Sequence, residues 1–293
     1  MSDPRYDRIA ERVHPGATVE ACRELTGGVS ATIEALDLRL PDGTLRRVVV
    51  RQQGTPAAGD RPVHSREEFA ILTALYSAGL AVPEPIFVDE SLEVLPVPYV
   101  VMAFVEGVVH PDPGVVPGAV EHMAEVLAGL HRIPVPAGLA LSERVDAASE
   151  ALVYLPEDDA QLREAVAAIA PRTERCLVHG DFWTHNLLWR DGRIVAVLDW
   201  EDAAIGDPLS DVAGARLELL WHAGADAMER FTDAYVAASG RSLVGMAVWE
   251  LIAGHASQRF MGGWGLEPAF EAQCRERAQW FAGMARGRLL PRS

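Results

Sequence analysis

The sequence predicts an α+β fold in two lobes, a small antiparallel β lobe followed by a mostly helical C-terminal lobe. Three observations predict it. Side chains alternate with period two between turn signals in the first third, the period changes to helical spacing from about Pro117 onward, and a short strand-turn-strand pattern interrupts the helical part around Asp191. A chain of 293 residues, 49% of them apolar, is long enough to fill such a pair of lobes. The boundary is expected near Gly107, dividing the chain into 1–107 and 108–293.

Taken in order, Thr18 to Leu25 reads as a strand leading into the small-residue turn Thr26-Gly-Gly-Val-Ser30. The next stretch puts Leu36, Leu38 and Leu40 on one side and Asp37 and Arg39 on the other, Pro41-Asp42-Gly43 turns the chain, and Val48 to Arg51 forms another strand. A loop rich in Gly and Pro (Gly54 to Pro62) precedes Ser65-Arg-Glu-Glu68, the spelling of a capping box, which opens a helix with Phe69, Leu72 and Tyr76 on one face and an end near Gly79. Val82-Pro-Glu-Pro85 breaks regularity, and Tyr99 to Met102 reads as a buried strand entering Phe104-Val-Glu-Gly107. Beyond it, Val120, Met123, Ala124, Leu127 and His131 recur at helical spacing. Leu187 to Trp189 and Ile194 to Leu198, joined by Arg190-Asp-Gly192, make a hairpin, and three helical stretches punctuated by Gly240 and Gly262-Gly263 fill residues 209 to 290. There are no internal repeats and no low-complexity segment.

The formal charge of −16, from 26 basic and 42 acidic residues, gives a field that repels DNA and RNA and attracts cations, so nucleic acid is not an expected partner. Three widely spaced cysteines, Cys22, Cys176 and Cys274, make no C-x-x-C site and leave one thiol over in any disulfide scheme, which points to a reducing cytoplasm. The charged N-terminus has no apolar core segment and no later run approaches the ~20 apolar residues of a membrane span, so a soluble, unprocessed protein is expected. Nothing in the pattern specifies an oligomeric state.

Chemistry concentrates in His179-Gly-Asp-Phe-Trp-Thr-His-Asn186, followed by Asp199-Trp-Glu-Asp202 and Gly206-Asp-Pro-Leu-Ser-Asp211. Phosphoryl transfer to an alcohol needs a carboxylate to orient or accept the hydroxyl proton, and oxygen ligands to hold Mg²⁺ against the phosphates. Asp181, Asn186 and Asp199 supply that set. The five-residue step from Asp181 to Asn186 matches the protein-kinase loop H-R-D-x-x-x-x-N, and Asp199 ends an apolar strand as the metal-binding Asp of D-F-G does.

In these residues the sequence resembles the aminoglycoside phosphotransferase family, whose signature reads H-G-D-x-x-x-x-N and then D-W-E-x-x-x-x-G-D-P-x-x-D. The resemblance extends over most of the chain and is most specific from His179 to Asp211. It implies a two-lobed protein-kinase-like fold with a nucleotide-binding first lobe and a catalytic, substrate-binding second lobe. It further implies that Asp181 is the catalytic base and that Asn186 and Asp199 bind Mg²⁺. The donor is ATP or GTP, its ring contacted by the backbone at Ala103 and Val105. Gly27, Gly28 and Ser30 fall where the phosphates are contacted, and Arg51 stands where the family often has Lys, expected to pair with Glu68 and reach the phosphates. Thr184-His185 replaces a frequent Pro-Gly. The implied acceptor is a small hydroxylated molecule, with cationic aminoglycoside-like compounds leading by the resemblance and the acidic balance, and with macrolides, choline, amino alcohols and sugars as the other acceptors of this fold. Glu201 and Asp202 are acids near the expected reaction centre that also read as loop braces.

Other readings of the same residues stand beside these. Glu68 also completes a capping box, the Gly27-Gly28 pair also makes a plain turn, and Met102 and Phe104 fit core packing as well as a nucleotide pocket. His179 reads as a loop brace, His185 as a loop residue, and Asp207 and Asp211 as bracing and capping groups. At the level of function, His179, Asp181 and His185 spell a fragment of a metallohydrolase site, although H-E-x-x-H is absent, and a nucleotide-binding pseudokinase is a further alternative. No P-loop G-x-x-x-x-G-K-[ST] occurs.

Overall fold

The computed structural model describes residues 3–25, 31–54, 65–109, 116, 118–135 and 141–290. The chain forms two compact units. One gathers the residues up to Glu106 together with Val195–Glu201, and the other holds most of the remainder from Gly107 onward.

The first unit opens on helix α1 (Pro4–Val13), where a strand-rich reading had no helix. Its start is well specified: the Asp3 carboxylate accepts from the Arg5 N–H, and Pro4 occupies the first turn, where its missing N–H leaves no gap in the hydrogen bonding. Strands β1 (Thr18–Glu24), β2 (Ala31–Arg39) and β3 (Leu45–Gln53) follow, then helix α2 (Ser65–Ser77) and strands β4 (Pro85–Asp89) and β5 (Tyr99–Ala103). They make one five-stranded antiparallel sheet in the order β1-β2-β3-β5-β4. Leu36 and Leu38 from β2, Val48 and Val50 from β3, and Tyr99 and Val101 from β5 bury one face of it against Tyr6 and Ile9 of α1. Each such side chain withdrawn from water contributes about 1.5–3 kcal/mol before entropy is set against it.

Helix α2 corrects the expected face. Ile71, Leu72 and Leu75 are buried together with Glu68, whereas Tyr76 is 48% exposed. The buried stripe is therefore 68, 71, 72 and 75, and a carboxylate is one of its members. Gly79 ends the helix as expected, with φ of 82° and the Leu80 N–H reaching back to Leu75 O at 3.0 Å.

In the second unit, β6 (Val108–Val109) pairs with β9 (Leu187–Arg190), and β9 turns through Asp191 and Gly192, both at positive φ, into β10 (Arg193–Val197), whose residues from Val195 onward belong to the first unit. Two left-handed residues in sequence are what a tight Asp-Gly hairpin requires. Between β6 and β9 lie α3 (Ala119–Leu130), β7 (Ser142–Glu143), α4 (Ala147–Tyr154), α5 (Ala160–Ala167) and β8 (Cys176–Val178). A small sheet runs β7-β11-β8, with β11 (Ala204–Gly206) antiparallel to β8 and parallel to β7. Four helices complete the unit, α6 (Leu209–His222), α7 (Gly224–Ser239), α8 (Met246–Phe260) and α9 (Pro268–Leu289), one more than the spacing predicts, because Gly224 at φ of 86° separates the first two. α8 and α9 pack so closely that a Cβ on Gly254 would lie 3.0 Å from the Cβ of Ala282. Among the described residues no helix is long and apolar enough to cross a membrane.

Candidate active site

In the first unit the site is organised by Arg51. Strand β3 carries it between β2 and β5, opposite Ile33 and Val100, and its side chain is only 12% exposed. Nη1 donates to Glu68 Oε2 at 2.9 Å, Nη2 donates to Glu201 Oε2 at 2.9 Å, and Asp199 Oδ1 lies 3.5 Å from Nη2. The pairing of Arg51 with Glu68 expected from the sequence is present, and it explains why the buried stripe of α2 includes an acid: the Glu68 carboxylate turns to the strand. Three carboxylates share one guanidinium, which leaves an excess of negative charge at a largely buried point. Burial pulls the Arg51 value down, but the charges of Glu68, Asp199 and Glu201 outweigh it and hold the group above its ordinary range. Burial pushes the Glu68 carboxyl up, Arg51 draws it down, and Asp199 and Glu201 push it further up.

Asp199 follows β10 with φ of 60°, a left-handed conformation uncommon outside glycine. The next residue, Trp200, is buried and its indole N–H donates to Val197 O at 3.2 Å, which pins the turn. The Ala103 N–H donates to Glu84 O at 2.8 Å and the Phe104 N–H to Arg47 O at 3.1 Å. A nucleobase contact at Ala103 would thus fall to its carbonyl, and Val105 is half-buried just beyond. Gly27, Gly28 and Ser30 lie outside the described residues.

In the second unit, β8 delivers the loop that begins at His179. Asp211, in the first turn of α6, accepts from the N–H of His179 at 2.7 Å and of Gly180 at 2.9 Å, and His131 Nε2 lies 3.1 Å from it. Burial would raise the Asp211 carboxyl, but the His131 contact and these N–H groups hold it below the usual carboxylate range. Gly180 sits at φ of 87°, and a Cβ there would lie 2.4 Å from Asp202 O, so the loop fits only with glycine. His179 is fully buried and its Nδ1 accepts the Asp181 N–H at 3.2 Å, a bracing role. Asp207 is likewise a brace, accepting from Leu209 N at 3.0 Å and from Trp249 Nε1 at 2.9 Å.

Asp181 itself is exposed. Its Oδ2 accepts from Asn186 Nδ2 at 2.9 Å and from Trp183 Nε1 at 3.2 Å, and a 3₁₀ turn at Thr184–Asn186 brings the two ends of the five-residue step together. With its nitrogen committed to Asp181, Asn186 offers its amide oxygen as a ligand atom. That oxygen is a hard donor of the kind Mg²⁺ takes. Among the described residues no group of three or more His, Cys, Asp and Glu is arranged to hold a metal, so the metallohydrolase alternative built on His179, Asp181 and His185 finds no cluster.

The sequence did not point to three neighbours of this loop. The Trp183 and His185 rings stack at 4.2 Å, His185 meets His222 of α6 at 5.9 Å, and His222 meets Phe270 of α9 at 5.3 Å. Glu218, one turn before His222 on α6, is largely buried, and its carboxyl is pushed well up, by burial first and by the charge of Asp181 second. Contacts between helices far along the chain carry no local signal, and none was available.

Comparison with known proteins bears on these arrangements. A profile of the phosphotransferase enzyme family matches residues 23–254. Acyl-CoA dehydrogenase family member 11 of Rattus norvegicus is 28% identical over 183 residues, covering 53% of this chain and 23% of the relative, so the chain spans about a quarter of that protein's length. The structure of a protein assigned as an aminoglycoside phosphotransferase from Ralstonia eutropha superposes with a TM-score of 0.68 at 18% identity, covering 98% of this chain and 97% of that one. A thermostable mutant of aminoglycoside phosphotransferase APH(4)-Ia, in ternary complex with AMP-PNP and hygromycin B, superposes with a TM-score of 0.64 at 17% identity, covering 96% and 98%. At these identities the structural likeness establishes the two-lobed kinase-like α+β fold.

Proposed function

The chain belongs to the phosphotransferase enzyme family, and from that membership we propose that it transfers the γ-phosphate of ATP to a hydroxyl of a small molecule with the help of Mg²⁺. The observation that carries the reading is the crowding of Glu68, Asp199 and Glu201 around Arg51. A single buried cation facing three carboxylates is a poor arrangement for stability alone and a good one for a site that receives further positive charge. Asn186 and Asp199 would hold the metal. When bound, Mg²⁺ neutralises phosphate charge and aligns the phosphates for in-line transfer.

The residues divide the remaining work. Arg51, kept in place by Glu68, neutralises phosphate oxygens with a fork of donors. Asp181, oriented through Oδ2 by Asn186 and Trp183, accepts the proton of the acceptor hydroxyl as that oxygen attacks. The bound AMP-PNP of the APH(4)-Ia complex favours an adenine nucleotide as donor. Two acceptor classes find support: aminoglycoside-like compounds, from the hygromycin B of that complex and the −16 charge, and hydroxylated acyl thioesters, from the acyl-CoA dehydrogenase relatives.

The test is release or transfer of the γ-phosphate from [γ-³²P]ATP across a panel holding both acceptor classes, with and without EDTA. Transfer that requires Mg²⁺ or Mn²⁺ is expected. Undiminished turnover in excess EDTA would remove Asn186 and Asp199 from their roles and the reading with them.

A further inference from the structure

Beside Asp181 the second unit carries a run of four rings, of which phosphoryl transfer uses only Trp183. The Trp183 indole, tied to Asp181 by its N–H, stacks on His185 at 4.2 Å with planes 36° apart, His185 tilts against His222, and His222 tilts against Phe270 at 5.3 Å. The rings come from the loop after β8, the last turn of α6 and the first turn of α9, so three separate elements converge to build one ladder. None of the four is fully buried, and His185 is exposed. A ring stack that only filled a core would be covered.

The acid associated with the ladder is Glu218. Its Oε2 is shielded from solvent, accepts no hydrogen bond among the described residues, and lies 3.7 Å from His222 Nε2. A surface made to hold a polycation would set ionised carboxylates in water beside the reacting hydroxyl. Here the acid is largely withdrawn from water beside His222, where burial and the charge of Asp181 both favour its neutral form, and a neutral carboxyl donates to or accepts from a hydroxyl.

We propose that the Trp183–His185–His222–Phe270 ladder is the acceptor-binding wall of this enzyme and that it selects an uncharged alcohol with a flat apolar face, whose hydroxyl is presented to Asp181 and whose other oxygens meet Glu218. The inference rests on the phosphotransfer reading for the identity of the bound hydroxyl. It departs from both acceptor classes named above and from the overall acidity of the chain, which favours cations: a net charge acts at long range and is screened, whereas ring contact acts only on what reaches the wall.

The experiment uses two neutral probes with the same sugar hydroxyls, 4-nitrophenyl β-D-glucopyranoside and methyl β-D-glucopyranoside, together with hygromycin B, titrated calorimetrically into the protein with Mg·ATP binding measured in parallel. The wild type is expected to bind the aryl glucoside about tenfold more tightly than the methyl glucoside. Phe270→Ala and His222→Ala should erase that preference while Phe270→Tyr keeps it, with the Kd of Mg·ATP unchanged in all three. Glu218→Gln, which preserves a neutral hydrogen-bonding group, should bind the aryl glucoside within about twofold of wild type. Equal affinity for the two glucosides, an aryl preference that survives Phe270→Ala, or tighter binding of hygromycin B than of the aryl glucoside would overturn the proposal. An intact aryl preference in a protein that binds no Mg·ATP would support the wall and retire the phosphotransfer reading instead.

Discussion

Asp181 and Asp199 are the same side chain in two settings, and their substitution should separate chemistry from binding. Asp181 is exposed and oriented by Asn186 and Trp183. Asp199 stands in a strained left-handed turn within reach of Arg51. Asp181→Asn is expected to lower transfer by about 10²–10⁴-fold while the Kd for Mg·ATP stays within about twofold. Asp199→Asn should weaken Mg·ATP itself, and calorimetry showing equal loss in both would reverse the roles. These two residues and Asn186 stand out in the sequence because their spacing is short and fixed. Arg51 looked like a departure from a usual Lys, but all 26 basic residues of this chain are arginine, so the change reflects the whole composition rather than a special site. Glu218, His222 and Phe270 left no such trace, since their meaning depends on which helices meet.

The coupling of β3 to α2 is the clearest case of one element giving another its purpose. Ser65-x-x-Glu68 spells a capping box, yet the Glu68 carboxylate is turned to Arg51 at 2.9 Å and the Ser65 hydroxyl to Gln53 Oε1 at 3.4 Å. Arg51→Ala leaves a buried acid without its partner, and urea denaturation should show a loss of about 3–5 kcal/mol. Glu68→Gln on top of Arg51→Ala should recover a good part of it, because the amide carries no uncompensated charge. A double variant no more stable than Arg51→Ala alone would mean that the pair contributes little. Other elements were hidden from the sequence for physical reasons. α1 is the exception, legible from local signals, since Asp3-Pro4 spells a helix start and Tyr6, Ile9, Ala10 and Val13 recur at i, i+3, i+4 and i+7 among charged neighbours. β7 and β11 are two and three residues long, shorter than any alternation can register. The face of α2 is obscured because a charged residue, Glu68, is one of its buried positions.

For the molecule as a whole, pH sets buried acids against one another. Burial would raise Asp89, but hydrogen bonds from Ser91 and Tyr99 and the Arg12 guanidinium hold it down at about 2, and Asp211 is also held below its ordinary value. A depressed carboxylate contributes stability above its unfolded value and loses that contribution as pH falls through the folded one. Glu218 acts in the opposite sense: its raised value favours the folded state at low pH, and that contribution fades as pH rises through the raised value. The urea midpoint should therefore climb from about pH 2 to pH 4 and decline again toward neutrality, with Glu218→Gln making the decline shallower and the raised Glu68 carrying the rest. A wild-type midpoint that keeps rising through neutrality would contradict this assignment. The two units add a constraint of a different kind. The chain leaves the first unit after Glu106, returns to it at Val195 and leaves again after Glu201, and that return supplies both Glu201 for Arg51 and the Val197 N–H for Ala81 O at 2.8 Å. In genetic terms the first unit is specified by separated stretches of one coding sequence. Recombination that exchanges the N-terminal third between relatives would set an imported Arg51 against the resident segment 195–201, so Arg51 and Glu201 are expected to change by paired substitution.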